Sequence, residues 1–178
     1  MSGYPVNTWI FGKLPSHGDF VSRGLQPQQR LVLDAWLSQE MESAMQHLAS
    51  EFDQRYVAAP PWRFANCEAD GEYRAGALCL SVDSVGRRFP LVASCSTKDA
   101  DRTATLAAHC EDCIYQAFAE QLDADGLLHL LNGNDKVAVA DRIEWGWWTE
   151  GGEGFAPNRL AGRRPEGLIV TMLNGGWL

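Results

Sequence analysis

The sequence predicts a single α+β domain in which a mainly antiparallel sheet packs against two principal helices. Three observations carry that prediction. Apolar residues recur at spacings of three and four from about Pro27 to Phe52 and again from about Thr103 to Leu122, the mark of two helices with one buried stripe each. Short apolar runs bounded by Gly, Pro and Asp fill the intervals, as strands do. The resulting order of strand, helix, several strands, helix, strand, strand is not the regular alternation of a parallel α/β sheet. No repeat, heptad array, linker or charge block divides the 178 residues, so one domain over 1–178 is expected, with the strand order left open.

Trp9 to Gly12 is a short apolar run ended by Pro15, and predicts a first strand followed by a loop. Pro27 suits a first helical turn, where its missing N–H costs nothing. From there Leu33, Leu37, Met41, Ala44, Leu48 and Phe52 form the stripe, with Gln39, Glu40, Glu42, Gln46 and Glu51 largely between them, until Ala59-Pro60-Pro61 stops the helix. Trp62 to Phe64, Tyr73 to Ser81 and Phe89 to Ser96 read as strands separated by Asp70-Gly71 and by a turn from Asp83 to Gly86. In the second of these Ala75, Ala77, Cys79 and Ser81 alternate with larger residues, so one face must accept small side chains. The second helix has Asp99 or Asp101 as its cap and Asp125-Gly126 as its stop, with a short helical turn at Leu127 to Leu131. Ile143 to Thr149 reads as an aromatic strand with Trp145 and Trp147 on one face and Trp148 on the other. Gly151 to Gly154 and Pro157-Asn158 form a loop, and the β-branched run Leu168 to Thr171 predicts a last strand.

A chain of this size can bury roughly 70 % of its unfolded surface in one core. Its 46 % apolar and 21 % charged residues are globular in proportion. No apolar run approaches the roughly 20 residues of a spanning helix. The N-terminus Met-Ser-Gly-Tyr-Pro-Val-Asn has neither a basic region nor a sustained apolar stretch, so no secretory leader is expected and the cytoplasm is the expected location. A net charge of −8 disfavours nucleic acid and anionic lipid, with Arg87-Arg88 and Arg163-Arg164 as small local exceptions. Five cysteines in such a chain point to thiols, not to a disulfide framework.

Two segments concentrate polar chemistry on turns. The first is Phe11-Gly-Lys-Leu-Pro-Ser-His-Gly-Asp-Phe20, and the second is Ser81-Val-Asp-Ser-Val-Gly-Arg-Arg-Phe-Pro-Leu91. Gly12-Lys13 is not a phosphate-binding loop, because Asn7 and Leu14 stand where that motif needs Gly and Ser or Thr. Lys13 is then a solvated or partner-facing cation. Ser16, His17 and Asp19 admit a hydrolytic grouping, a partner surface, or hydrogen bonds from Ser16 and Asp19 to the turn's own backbone N–H groups, and no nucleophile-elbow motif favours the first. Asp83 is placed to cap its turn, while Arg87 can pair with Asp19 or with a partner's carboxylate. An Asp19–Arg87 bridge would set the two loops side by side. In His109-Cys110-Glu111-Asp112-Cys113 the cysteines fall on the apolar stripe with Leu106, Ile114, Ala117 and Phe118, and behave as small hydrophobes in preference to metal ligands. Seven tryptophans leave core burial or an exposed aromatic anchor open for the cluster at 145–148.

Together with Asp34-Ala-Trp-Leu37, Ala59-Pro-Pro-Trp-Arg-Phe64, Trp147-Trp-Thr149 and Gly167-Leu168, the two segments resemble, in order along nearly the whole chain, the TagF (also called ImpM) family of bacterial type VI secretion accessory proteins. The resemblance implies a cytoplasmic, non-enzymatic regulator that represses secretion after translation by binding the apparatus, with a forkhead-associated scaffold protein as the partner. Some members are fused to a protein phosphatase, which here would be a separate protein. The polar residues concentrated on the two turns, Lys13, Ser16, His17, Asp19, Asp83, Arg87 and Arg88, are the candidate partner-binding surface, and no constellation of residues calls for a catalytic residue, cofactor, metal, nucleic acid or membrane insertion. Two rivals stand beside it: a hydrolase using His17, Asp19 and Asp83 between the motif loops, and a structural component of the secretion apparatus.

The cysteine reading has a direct test. Purified protein should carry substoichiometric zinc by elemental analysis, and one zinc per chain that Cys113→Ser abolishes would overturn it.

Overall fold

A computed structural model describes residues 7–133 and 143–175. Residues 1–6, which bear on the question of a leader, lie outside the described residues. Seven strands form one sheet: β1 (Thr8–Lys13), β2 (Phe20–Arg23), β3 (Trp62–Cys67), β4 (Tyr73–Val82), β5 (Arg88–Thr97), β6 (Gly146–Thr149) and β7 (Asn158–Leu160). Their order is β2-β1-β5-β4-β3-β6-β7 and each neighbouring pair is antiparallel. The helices are α1 (Pro27–Leu48), α2 (Phe52–Ala58), α3 (Thr103–Glu120), α4 (Ala124–Asn132) and α5 (Leu168–Asn174). The α+β class is as predicted. The helices cover both faces of the sheet, in three layers.

Alternation along the central strands decides which helix goes where. Ala65, Ala75, Ala77, Ala93 and Cys95 point to one face and pack against Leu106, Cys110, Ile114 and Ala117 of α3, with Leu127 and Leu131 of α4 beside them. The small side chains give α3 room to lie close to the sheet. Trp62, Phe64, Leu78 and Val92 point to the other face, where they and Phe89 pack against Leu37, Met41, Ala44 and Leu48 of α1 and the apolar residues of α2 and α5. Pro27 stands in the first turn of α1, where Gln26 and Gln29 form a reciprocal capping box.

Five elements differ from expectation. The long first helix is broken at Ala49, whose φ of 47° belongs to the left-handed region, and a 3-10 turn at Ala49–Glu51 leads into α2. The strand expected over Leu168–Thr171 is helix α5: Leu168, Ile169, Met172 and Leu173 share a buried face against the α1 side, and this packing overrides β-branching. The aromatic strand begins only at Gly146, because φ of +81° there interrupts the alternation and leaves Trp145 outside β6. Trp145 therefore does not share a face with Trp147. Strands β2 and β7, of four and three residues, carry too little pattern to be foreseen.

Glu40 explains how α5 is held. It lies among the polar positions of the helical pattern, yet it is buried in α1 and its carboxylate accepts from Gly167 N (3.0 Å) and Ile169 N (3.1 Å) at the start of α5. It thus satisfies two N–H groups that a helix leaves without intrahelical partners. Glu40→Ala should lower unfolding free energy by about 1.5 to 3 kcal/mol, the range for hydrogen bonds to a charged group. Glu40→Gln, which keeps one acceptor oxygen, should cost less in the same denaturant titration.

Candidate interaction site

The two motif segments are the β1–β2 and β4–β5 hairpin turns, and the sheet order makes them neighbours because β1 pairs with β5. Gly12 permits the approach. Its φ is +132°, and a Cβ there would stand 2.0 Å from the Pro90 carbonyl oxygen. The next residue, Lys13, turns its side chain inward, and its Nζ lies 3.2 Å from Asp83 Oδ2 with the carboxylate fully covered. Asp83 follows β4 and organises its turn: Oδ1 accepts from Val85 N (3.1 Å) and Arg87 N (2.9 Å), and Oδ2 accepts from Arg87 Nε (2.7 Å). The guanidinium reaches on to the Gly18 carbonyl (Nη2 to O, 2.6 Å), and Ser84 N donates to the His17 carbonyl (2.8 Å). Below them Ser81 Oγ donates to the Lys13 carbonyl (2.7 Å), while the Tyr56 hydroxyl donates to Ser81 O and accepts from Ser81 N.

Burial alone would raise the Asp83 carboxyl. Hydrogen bonds from Arg87, through both its backbone and its guanidinium, and from Lys13 and Val85 outweigh it and hold the group well below the usual carboxylate range. Burial pushes the Tyr56 hydroxyl well above its ordinary value.

The remaining motif residues go to different places. Ser16 Oγ donates to the Leu122 carbonyl (2.7 Å) and His17 Nε2 accepts from Ala124 N (3.1 Å), so both fasten the hairpin to the link between α3 and α4. Asp19 Oδ1 accepts from Phe20 N (2.8 Å). Arg88 points to the α2 side, where it pairs with Asp53 and lies 5.3 Å over the Tyr56 ring. Three expectations are thereby corrected. Asp19 and Arg87 form no bridge, because Asp83, four residues before Arg87, takes the guanidinium. Lys13 is not a solvated cation, since it is 7 % exposed and paired. Ser16 bonds a carbonyl outside its own turn and accepts from no N–H there.

Besides Ser16 and Gly18, the exposed residues of the two hairpins are Asp19, Phe20, Ser84, Val85, Gly86 and Arg87. Val85 is 71 % exposed and Phe20 46 %, the latter ring set edge-on to Phe89 at 4.9 Å and 5.1 Å from Lys13 Nζ. Neither Tyr56 nor Phe20 is singled out by the sequence pattern. Phe20 at least closes the first motif, whereas nothing local marks Tyr56 as the support of Ser81.

Among the other candidates, Cys79, Cys95, Cys110 and Cys113 are buried. Cys110 Sγ lies 3.7 Å from Cys95 Sγ, and that contact followed by burial raises its thiol, while burial pushes the Cys113 thiol up to about 12. Among the described residues no group of three or more His, Cys, Asp or Glu side chains is placed to hold a metal ion. Trp147 and Trp148 are buried on opposite faces of the sheet, as alternation requires, and Trp145 is 47 % exposed beside the Tyr73 ring. Within the described residues no helix is long and apolar enough to cross a membrane.

The architecture is that of an α+β domain whose two polar turns are locked together by the buried Lys13–Asp83 ion pair and by hydrogen bonds to the Gly18 and His17 carbonyls. The family model described as "TagF N-terminal domain, Type VI secretion system-associated" matches residues 10–134, and the chain belongs to that family. It is thus a type VI secretion system-associated protein. A solved structure, PA0076 from Pseudomonas aeruginosa PAO1, is similar in fold, with a TM-score of 0.61 at 23 % identity over 96 % of each chain. A search of curated proteins finds no match.

The Asp83 cluster has a pH signature. A carboxyl held low in the folded state contributes stability that is present above its unfolded value, about 3.9, and is lost as pH falls through the folded one. Asp83→Asn should therefore lower stability at neutral pH and flatten the acid limb of a stability-against-pH curve. Lys13→Met and Arg87→Gln should be non-additive in a double-mutant cycle, and additive effects would show that Asp83 does not couple them.

Proposed function

We propose that this protein restrains type VI secretion after translation, without catalysis, by binding a component of the apparatus through the outer surface of its two motif hairpins. The carrying observation is the division of labour within the motifs. Lys13, Ser16, His17, Asp83 and Arg88 are engaged by other parts of the fold, and Asp19, Phe20, Val85 and Arg87 remain outward on the frame that results. A frame fixed in advance lowers the ordering cost of recognition. Family membership supplies the setting, and the resemblance points to a forkhead-associated scaffold protein as the partner. The hydrolase reading loses support, since Ser16 Oγ and His17 Nε2 are directed at separate backbone groups.

Deleting the protein should raise secretion with transcript levels unchanged, and overproducing it should silence secretion. Asp19→Arg combined with Val85→Glu alters exposed side chains, so the fold should persist to within about 0.5 kcal/mol per site while silencing fails. A folded double variant that silences fully would remove this surface from the mechanism. Unchanged secretion after deletion would remove the regulatory role itself.

A further inference from the structure

The hairpin surface continues into a cleft of about 660 Å³ between α1, α2 and the β4–β5 turn. Its floor is apolar: Met41, Met45, Phe52 and Phe89 line it, and Phe20 extends the aromatic surface from Phe89. Met41 and Met45 stand one helical turn apart, so their thioethers share a wall. Met45 is 47 % exposed although it borders the buried stripe of α1. Flexible, polarizable methionines on such a surface adapt to inserted apolar groups.

The rim is positive. Two cations, Arg87 and Arg88, line it against one carboxylate, Asp53, leaving one positive charge in excess on a chain of net charge −8. Asp19 lies on the loop and does not line the cleft. Arg87 uses Nε on Asp83 and Nη2 on Gly18, and its Nη1 faces no hydrogen-bond partner among the described residues. An outward donor of fixed direction beside an apolar floor calls for a carboxylate close to a bulky hydrophobic side chain.

We propose that this cleft receives one acidic, amphipathic segment of the partner protein, with an apolar side chain seated against Met41, Met45, Phe52 and Phe89 and a carboxylate on Arg87. The proposal rests on the protein-binding reading and adds to it where and how the partner docks. The test uses the full chain, the purified forkhead-associated scaffold protein of the same secretion system, and overlapping synthetic peptides that tile that scaffold, with affinity read by fluorescence anisotropy. Binding peptides should carry a large apolar residue near Asp or Glu, and replacing that acid by its amide should weaken binding roughly tenfold, about 1.4 kcal/mol. Met45→Glu should weaken the intact scaffold at least as much, and Met45→Leu should restore it. If the scaffold binds and Met45→Glu leaves its affinity unchanged, or the binding peptides are basic, the cleft is overturned while the hairpin reading stands. If the scaffold does not bind at all, that partner and the cleft proposal fall together.

Discussion

The buried Asp83 carboxylate is the constraint on which the rest of the site depends. Removing a carboxylate from water costs several kcal/mol unless its oxygens are met by donors of good geometry, so the position is tolerable only when the surroundings are complete. Lys13, Arg87 and two backbone N–H groups supply that completeness. Each donor belongs to a different constraint: Lys13 fixes the end of β1, Val85 N the tip of the turn, and Arg87 the return into β5. The guanidinium then fixes Gly18 in the opposite hairpin. His17 and Ser16 extend the chain of contacts to the α3–α4 link, so an exposed turn inherits the rigidity of a helix on the far side of the sheet.

The sheet itself is asymmetric by composition. Alanines and cysteines on one face bring α3 in closely, and aromatic and branched residues on the other keep α1, α2 and α5 at the distance their own side chains require. Since α2 carries Phe52, Asp53 and Tyr56, the large-residue face also decides what stands beside the β4–β5 turn. Tyr56 reaches the backbone of Ser81, whose hydroxyl reaches Lys13, and so the packing of α2 is coupled to the buried ion pair through one short path.

Features that depend on period are legible in the order of residues alone: the apolar stripes of α1 and α3, the small-residue face of β4, the burial of Cys110 and Cys113, and the opposite placement of Trp147 and Trp148. Features that depend on a distant partner are not. Leu168–Asn174 has β-branched residues, and only burial beside α1 together with the Glu40 carboxylate makes it a helix. Glu40 itself looks like a solvated residue until α5 is placed beside it. Asp19 and Asp83 are equivalent in sequence as partners for Arg87, and the choice is made by the turn geometry that brings Asp83 within 2.7 Å of Nε. Both motifs are conspicuous because they are rich in polar groups, but how those groups divide between inward and outward use is a tertiary property.

That division bears on the kind of work the surface can do. General acid–base catalysis needs a group free to change its protonation state near the working pH. Asp83 is held as a carboxylate by donors on both oxygens, and Tyr56 is held as a phenol by burial. Groups so committed make good struts and poor proton carriers. The outward residues Asp19, Phe20 and Val85, by contrast, stand outside the Asp83 cluster and can change without disturbing the frame that presents them. A surface built this way keeps its backbone fixed in advance, and under the protein-binding reading proposed above that lowers the ordering cost of recognition.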